Sequence, residues 1–287
     1  MRYGVIATTG DPRTMVDFAV EAEAAGWDGF FYFDAIAIGA AELYDPWVVL
    51  AAIAERTDRV RIGAILTPPS RRRPWKMARD AMTLDRLSGG RLILPVGLGA
   101  LDDAAFGNVG EATDARIRAE LLDESLEILE GLWSGQPFAY QGQHFQFEEM
   151  TFLPTPLQQP RIPIWVAGAW PRERSMRRAV RWDGILPQAH SADGRPIKLT
   201  PDHVRAIAEY VARERPAVAA EPPFDIVTEG TSSADDPEAA SAKVEPWIEA
   251  GATWWMEADW RGATVESLRR RILSGPPRAQ GPSGSRA

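Results

Sequence analysis

The chain contains no cysteine. That absence removes disulfides, thiolate metal sites and a cysteine nucleophile together. Histidine is almost as scarce: His144, His190 and His203 are scattered without ligand spacing, which argues against a metal centre. No apolar run approaches the roughly 20 residues that a bilayer-spanning helix requires. The opening stretch MRYGVIATTG lacks the basic, apolar, small-residue order of a signal peptide. Basic residues are outnumbered, 32 Lys and Arg against 40 Asp and Glu, and the formal charge of -8 disfavours a nucleic-acid surface. Also missing is a G-x-G-x-x-G between a strand and a helix, the mark of a dinucleotide-binding sheet. The expectation is a cytoplasmic protein with no membrane, nucleic-acid or metal partner.

What the 287 residues do contain is an alternation of short apolar runs with amphipathic ones. Buried strands are predicted at 3–8, 28–33, 60–66, 92–99, 162–168, 182–187, 224–230 and 252–258. Helices are predicted between them. Asp11-Pro12, Asp45-Pro46, Thr200-Pro201 and Asp236-Pro237 each pair an N-capping side chain with a proline that needs no N–H in the first turn. Further helices are read at 74–87, 115–134, 173–181 and 264–273, and Gly26 and Ser88-Gly89-Gly90 serve as stops. Eight strand–helix pairs in this length predict an α/β fold, a (β/α)8 TIM barrel, as one domain over 1–273. Two segments depart from the repeat. Residues 135–161, with alternating aromatics and four prolines, read as an insertion between the fourth helix and fifth strand, covering the barrel mouth or meeting another subunit. The Gly/Pro/Ser-rich end, 274–287, has little to bury and is expected to be a disordered tail.

Barrel enzymes carry their sites at the C-terminal ends of the strands. Those ends here read Thr8-Thr9, Asp34, Leu66-Thr67-Pro68, Gly97-Leu98-Gly99, Ala167-Gly168-Ala169-Trp170, Pro187-Gln188, Glu229-Gly230-Thr231 and Glu257-Ala258-Asp259-Trp260. The set is poor in nucleophiles and metal ligands, and rich in small residues, backbone amides and indoles. It suits a flat heteroaromatic cofactor approached closely by backbone. Gly168 with Arg172 at a helix start, and Gly230 with Thr231, are candidate phosphate contacts; a solvated helix face and a polar loop are the structural alternatives. Arg71, Arg72 and Arg73 follow the third strand; a merely solvated charge run is one reading, and a rim that draws an anionic cofactor tail or substrate toward the mouth is the other. A phosphosugar isomerase would need a lysine or paired acids at the strand ends, and Lys76, Lys198 and Lys243 fall outside the predicted ones. Trp47, Trp170, Trp255 and Trp260 are candidates for an aromatic wall, with core packing the alternative for at least half of them.

Several stretches resemble the luciferase-like monooxygenase superfamily of flavin- and deazaflavin-dependent TIM barrels. They are EAEAAGWDGFFYFDA, YDPWVVLAAIAERTDRVRIGAILTP, RRRPWKMARDAMTLDRLSGGRLILPVGLG, FGNVGEATDARIRAELLDESLEILEGLWSGQPF and IPIWVAGAWP. The resemblance implies an oxidoreductase that transfers hydride or activates oxygen through FMN or the deazaflavin coenzyme F420, on a small organic substrate. NAD(P)H would join as reductant if FMN is used, and a homodimer is expected. It assigns Thr67, Gly97, Gly99, Gly168 and Gly230 to cofactor contacts and places a cis peptide near Gly63–Leu66. Many members end the second strand in Asp-His; this chain keeps Asp34 but has Ala35 where the histidine would be. Asp34 and Glu111 are therefore the catalytic candidates in its place. The alternative is a non-catalytic or cofactor-storing barrel homologue.

Overall fold

A computed structural model describes residues 1–215 and 223–278. Eight parallel strands form the barrel: β1 (Arg2–Ala7), β2 (Gly29–Tyr32), β3 (Arg61–Ala64), β4 (Leu94–Val96), β7 (Ile164–Trp170), β8 (Gly184–His190), β10 (Asp225–Gly230) and β11 (Trp254–Glu257). The sheet runs β3-β2-β1-β11-β10-β8-β7-β4. Parallel bridges Ile62–Leu92 and Thr67–Val96 link the two end strands and nearly close the ring. All eight expected strands are present, and so are the eight helices: α1 (Pro12–Ala24), α2 (Pro46–Ala54), α3 (Pro74–Leu87), α4 (Ala115–Trp133), α5 (Glu173–Val180), α6 (Pro201–Glu214), α7 (Pro237–Glu249) and α8 (Val265–Leu273). The side chains of Asp11, Asp45, Thr200 and Asp236 accept N–H bonds from Thr14, Val48, His203 and Ala239, so each proline start is a capped start. Among the described residues no helix is long and apolar enough to cross a membrane.

Strand alternation divides the core in two. Outward-facing residues such as Val5, Ile62, Val166 and Trp255 pack under the helices, and inward-facing ones fill the barrel. Its base is aromatic: Phe31, Trp165 and Trp254 meet with ring centroids 5.2–6.1 Å apart. Three rings of that size fit only because their inward neighbours have no side chain. A Cβ on Gly29 would come 2.7 Å from Phe31, and one on Gly184 would overlap the Trp165 indole. Small residues around large ones let the layer reach normal packing density.

The 135–161 segment forms an antiparallel hairpin, β5 (Pro137–Gln141) and β6 (Gln146–Thr151), joined to β7 by an irregular stretch. It lies on the flank of the barrel against α3 and α4, and none of its described residues lines the mouth cavity, which corrects the mouth-covering branch of the expectation. Phe138 fills the space over Gly131 of α4, and the Tyr140 hydroxyl donates to Glu127 at 2.9 Å. The Glu124 carboxylate accepts N–H bonds from Gln143, His144 and Phe145 at the hairpin turn. The chain then runs down α3, where Arg79 and Arg86 donate to the carbonyls of Leu153 and Thr155, and Asp85 receives the N–H groups of Leu157 and Gln158. A short strand, β9 (Pro196–Ile197), pairs antiparallel with the end of β8. Of the 274–287 segment, Arg278 reaches Asp28 at 2.9 Å; residues 279–287 lie outside the described residues.

Candidate active site

A cavity of about 960 Å³ opens at the C-terminal ends of the strands. That size is within the range of small-molecule and cofactor sites. Its inner surface is largely apolar, with Ile65, Leu66, Leu186, Val227 and Met256 among the lining residues. The Ile65–Leu66 peptide is cis, inside the 63–66 window where the family resemblance places one. Gly99 lines one wall with φ at +80°, and a Cβ there would press on the Phe106 ring at 2.6 Å. Arg118 holds that wall from behind: it donates to the carbonyls of Leu98 and Gly99 at 2.8 and 3.0 Å while stacking over Phe106. The lining also includes Trp255 and Trp260, whereas Trp47 and Trp170 pack against Arg72 and Tyr210.

The polar groups concentrate on the β8–β10 side. Gln188, His190, Lys198, Glu229, Thr231 and Lys243 all line the cavity. Among the described residues neither Lys198 nor Lys243 has an ion-pair partner, so both ammonium groups are available to an anion. Arg178, by contrast, is committed to Asp123 at 2.8 Å. On β10 the inward positions are Asp225, Val227 and Glu229, which puts Glu229 at the top of the barrel interior, one layer above Val227. The Trp260 indole N–H donates to Glu229 Oε1 at 3.3 Å, and its ring meets Phe33 edge-on. Glu229 is exposed to the open cavity, yet the surrounding walls strip part of its hydration and raise its carboxyl above the ordinary carboxylate range, an effect that the Trp260 hydrogen bond only partly offsets.

The residues expected from the sequence are brought together only in part. Gly99, Gly230 and Thr231 line the cavity. Thr67 is fully buried below it, its hydroxyl 3.4 Å from the Ala64 carbonyl. Gly97 backs the wall, where a Cβ would crowd Ala167 and Leu66, both lining residues. Gly168 faces outward against Ile185. The Arg172 guanidinium donates to the Gly194 carbonyl, and the neighbouring Ala169 N–H is taken by Ser175. At the expected phosphate cradle, one Arg172 nitrogen and the Ala169 N–H are thus already engaged by the chain's own groups.

The two catalytic candidates sit elsewhere. Asp34 is buried between Arg71 and Arg72, at 2.8 and 2.7 Å. Arg71, 3 % exposed, also binds Asp103. This lattice of charges ties the loop after β2 to the loops after β3 and β4, so Arg71 and Arg72 are not free rim cations, and Arg73 stacks over Trp75. Burial alone would raise the Asp103 carboxyl, but the Arg71 guanidinium and the N–H groups of Ile36, Ala105 and Ala37 hold it down at about 2. Glu111 is exposed on the loop before α4, and the cap of that helix is Asp114.

Sequence reasoning passed over the lysines and Glu229. Lys198 follows a two-residue strand that carries no hydrophobic pattern, and Lys243 faces the cavity from within a helix. The period-2 alternation of β10 was the readable signal for Glu229. A planar tricyclic redox cofactor fits what is present: an apolar floor, a wall kept thin at Gly99, and two unpaired lysines for an anionic handle.

A sequence profile of luciferase-like monooxygenases matches residues 2–281. An F420-dependent glucose-6-phosphate dehydrogenase of Microbacterium testaceum is 33 % identical over 180 residues, 60 % of this chain and 52 % of its own length. The enzyme of that name from Rhodococcus erythropolis is 30 % identical over 261 residues, 85 % of this chain and 72 % of its own. The chain spans about half the length of several such relatives. Among solved structures, an F420-dependent secondary alcohol dehydrogenase bound to an F420–acetone adduct superposes with a TM-score of 0.76 at 17 % identity, over 95 % of this chain and 97 % of that one.

Proposed function

This chain belongs to the luciferase-like monooxygenase family, and from that premise we propose that it oxidises or reduces a small organic substrate through deazaflavin F420 held in the rim cavity. The single observation that carries this reading is the cavity itself, apolar below and fitted with the unpaired Lys198 and Lys243 on one side. The identities to F420-dependent dehydrogenases support that choice of cofactor. When bound, the deazaflavin supplies a ring that accepts or donates hydride. The protein's part is orientation and exclusion of water. Ile65, Leu66 and Met256 offer the ring an apolar bed, Lys198 and Lys243 neutralise an anionic group, and Arg118 fixes the wall at Leu98–Gly99. Gln188 and His190 supply hydrogen-bonding groups toward the substrate.

A second reading is favoured by Ala35, which stands where many family members have a histidine. In it the cofactor is FMN, NAD(P)H is the reductant and oxygen is the second substrate. The protein is read as cytoplasmic, with residues 1–273 a single domain. A homodimer is also proposed, supported by Val48 and Leu87, which remain 72 % and 43 % exposed beside the groove between α2 and α3. Anaerobic mixing with F420 and either glucose 6-phosphate or propan-2-ol tests the leading reading. Loss of the oxidised deazaflavin absorbance with one of them is expected. No change with either, together with NAD(P)H-dependent oxygen consumption in the presence of FMN, would replace it with the second reading.

A further inference from the structure

Resting on the F420 reading above, we infer that Glu229 is the group that exchanges the substrate proton during hydride transfer. Three observations place it there. First, it is the only carboxylate among the described residues that line the cavity. Asp34, the acid after β2, is sealed between two arginines and cannot serve. Second, the alternation of β10 turns Glu229 into the barrel, and its backbone pairs with that of Met256, another lining residue. Third, among the described residues only one of its oxygens has a partner, the Trp260 N–H on Oε1; Oε2 is left for a ligand. The side chain is exposed to the cavity and so within reach of substrate and water, while partial loss of hydration among the walls favours the protonated form and brings the carboxyl closer to the range in which a group both takes and returns protons.

The carbinol C–H bond of the substrate breaks and its hydride goes to the oxidised deazaflavin. The hydroxyl proton passes to the Glu229 carboxylate, the carbon–oxygen double bond forms, and Glu229 later releases the proton to water through the open cavity. Reduction of a carbonyl is the same step reversed.

The charged or titratable groups sharing the cavity are Arg118 on α4, Arg178 on α5, His190 on β8, Lys198 after β9 and Lys243 on α7. Among the described residues none lies within salt-bridge distance of Glu229. His190 is the rival proton carrier. It sits two residues beyond Gln188 on β8, about 6–7 Å further along the strand, with Nδ1 turned to the Gln188 carbonyl.

The test compares wild type with Glu229→Gln, Glu229→Asp and His190→Gln, using F420 with the probe substrate that wild type turns over. Glu229→Gln is expected to bind F420 within about threefold of wild type by fluorescence titration, yet to transfer hydride about 10²–10⁴-fold more slowly. Its rate should lose the rise with pH that wild type shows in the oxidative direction, and Glu229→Asp should restore that rise in part. A readout independent of turnover is the tryptophan emission of the cofactor-free protein. A pH transition above the ordinary carboxylate range should be present in wild type and absent from both Glu229→Gln and Trp260→Phe. Unchanged transfer in Glu229→Gln, loss of its F420 binding, or transfer of the pH effect to His190→Gln would each overturn the assignment. Failure of wild type to bind F420 at all would instead overturn the F420 reading.

Discussion

At the scale of single residues, position in a strand decides more than residue type. Gly184 and Gly29 contribute by what they lack, leaving room for Trp165 and Phe31 inside the barrel. Gly184→Ala is expected to destabilise the fold by about 1–3 kcal/mol, as overpacked cores do, which urea unfolding would measure. Asp34 shows the limit of reading a residue by its place in the chain. A lone acid at a strand end looks catalytic, and nothing local reveals that Arg71 and Arg72 come from a later loop to enclose it. The same network predicts acid sensitivity. Asp103 has a folded-state value of about 2, below its ordinary 3.8, so its stabilisation is complete above the ordinary value and disappears as pH falls through about 2. Asp103→Asn should therefore lower stability at neutral pH by about 2 kcal/mol and flatten the acid limb of a stability–pH profile. An acid limb identical to wild type would show that the Arg71 lattice contributes nothing.

Elements were legible to the extent that their signals are local. The Asp-Pro and Thr-Pro starts announce helices because cap and proline act within one turn, and α3 matches its expected bounds residue for residue. The 135–161 insertion was recognisable as an excursion, but its destination was not. The groups that hold it, Glu124 and Glu127 on α4 and Asp85 on α3, are ordinary helix-surface acids in the sequence. Glu124→Ala removes the acceptor for three N–H groups at the hairpin turn. Amide exchange across 137–151 should then accelerate by about tenfold or more, the equivalent of one or two charge-assisted hydrogen bonds. F420 binding should be unaffected, because no described residue of 135–161 lines the cavity. Weakened binding would return the hairpin to the mouth.

For the molecule as a whole, the ring of strands was readable because burial on both faces leaves continuous apolar runs, and their number and order admit few folds. The position of the candidate cavity at the strand ends followed from the fold. The groups on its polar side were less legible, because an inward-facing carboxylate and two lysines, one just after β9 and one on α7, are juxtaposed only by closure of the barrel. The cavity that closure creates, about 960 Å³, has room for three fused rings. Ala169, inward-facing on β7 and part of the lining, allows that space to be filled without touching the core below. Equilibrium titration of F420 into wild type and Ala169→Trp is therefore the decisive measurement. Wild type is expected to bind one equivalent, and the variant to bind at least about tenfold more weakly, near 1.4 kcal/mol, with its thermal unfolding unchanged. Equal affinity in a folded Ala169→Trp protein would mean that the cofactor does not occupy the barrel mouth.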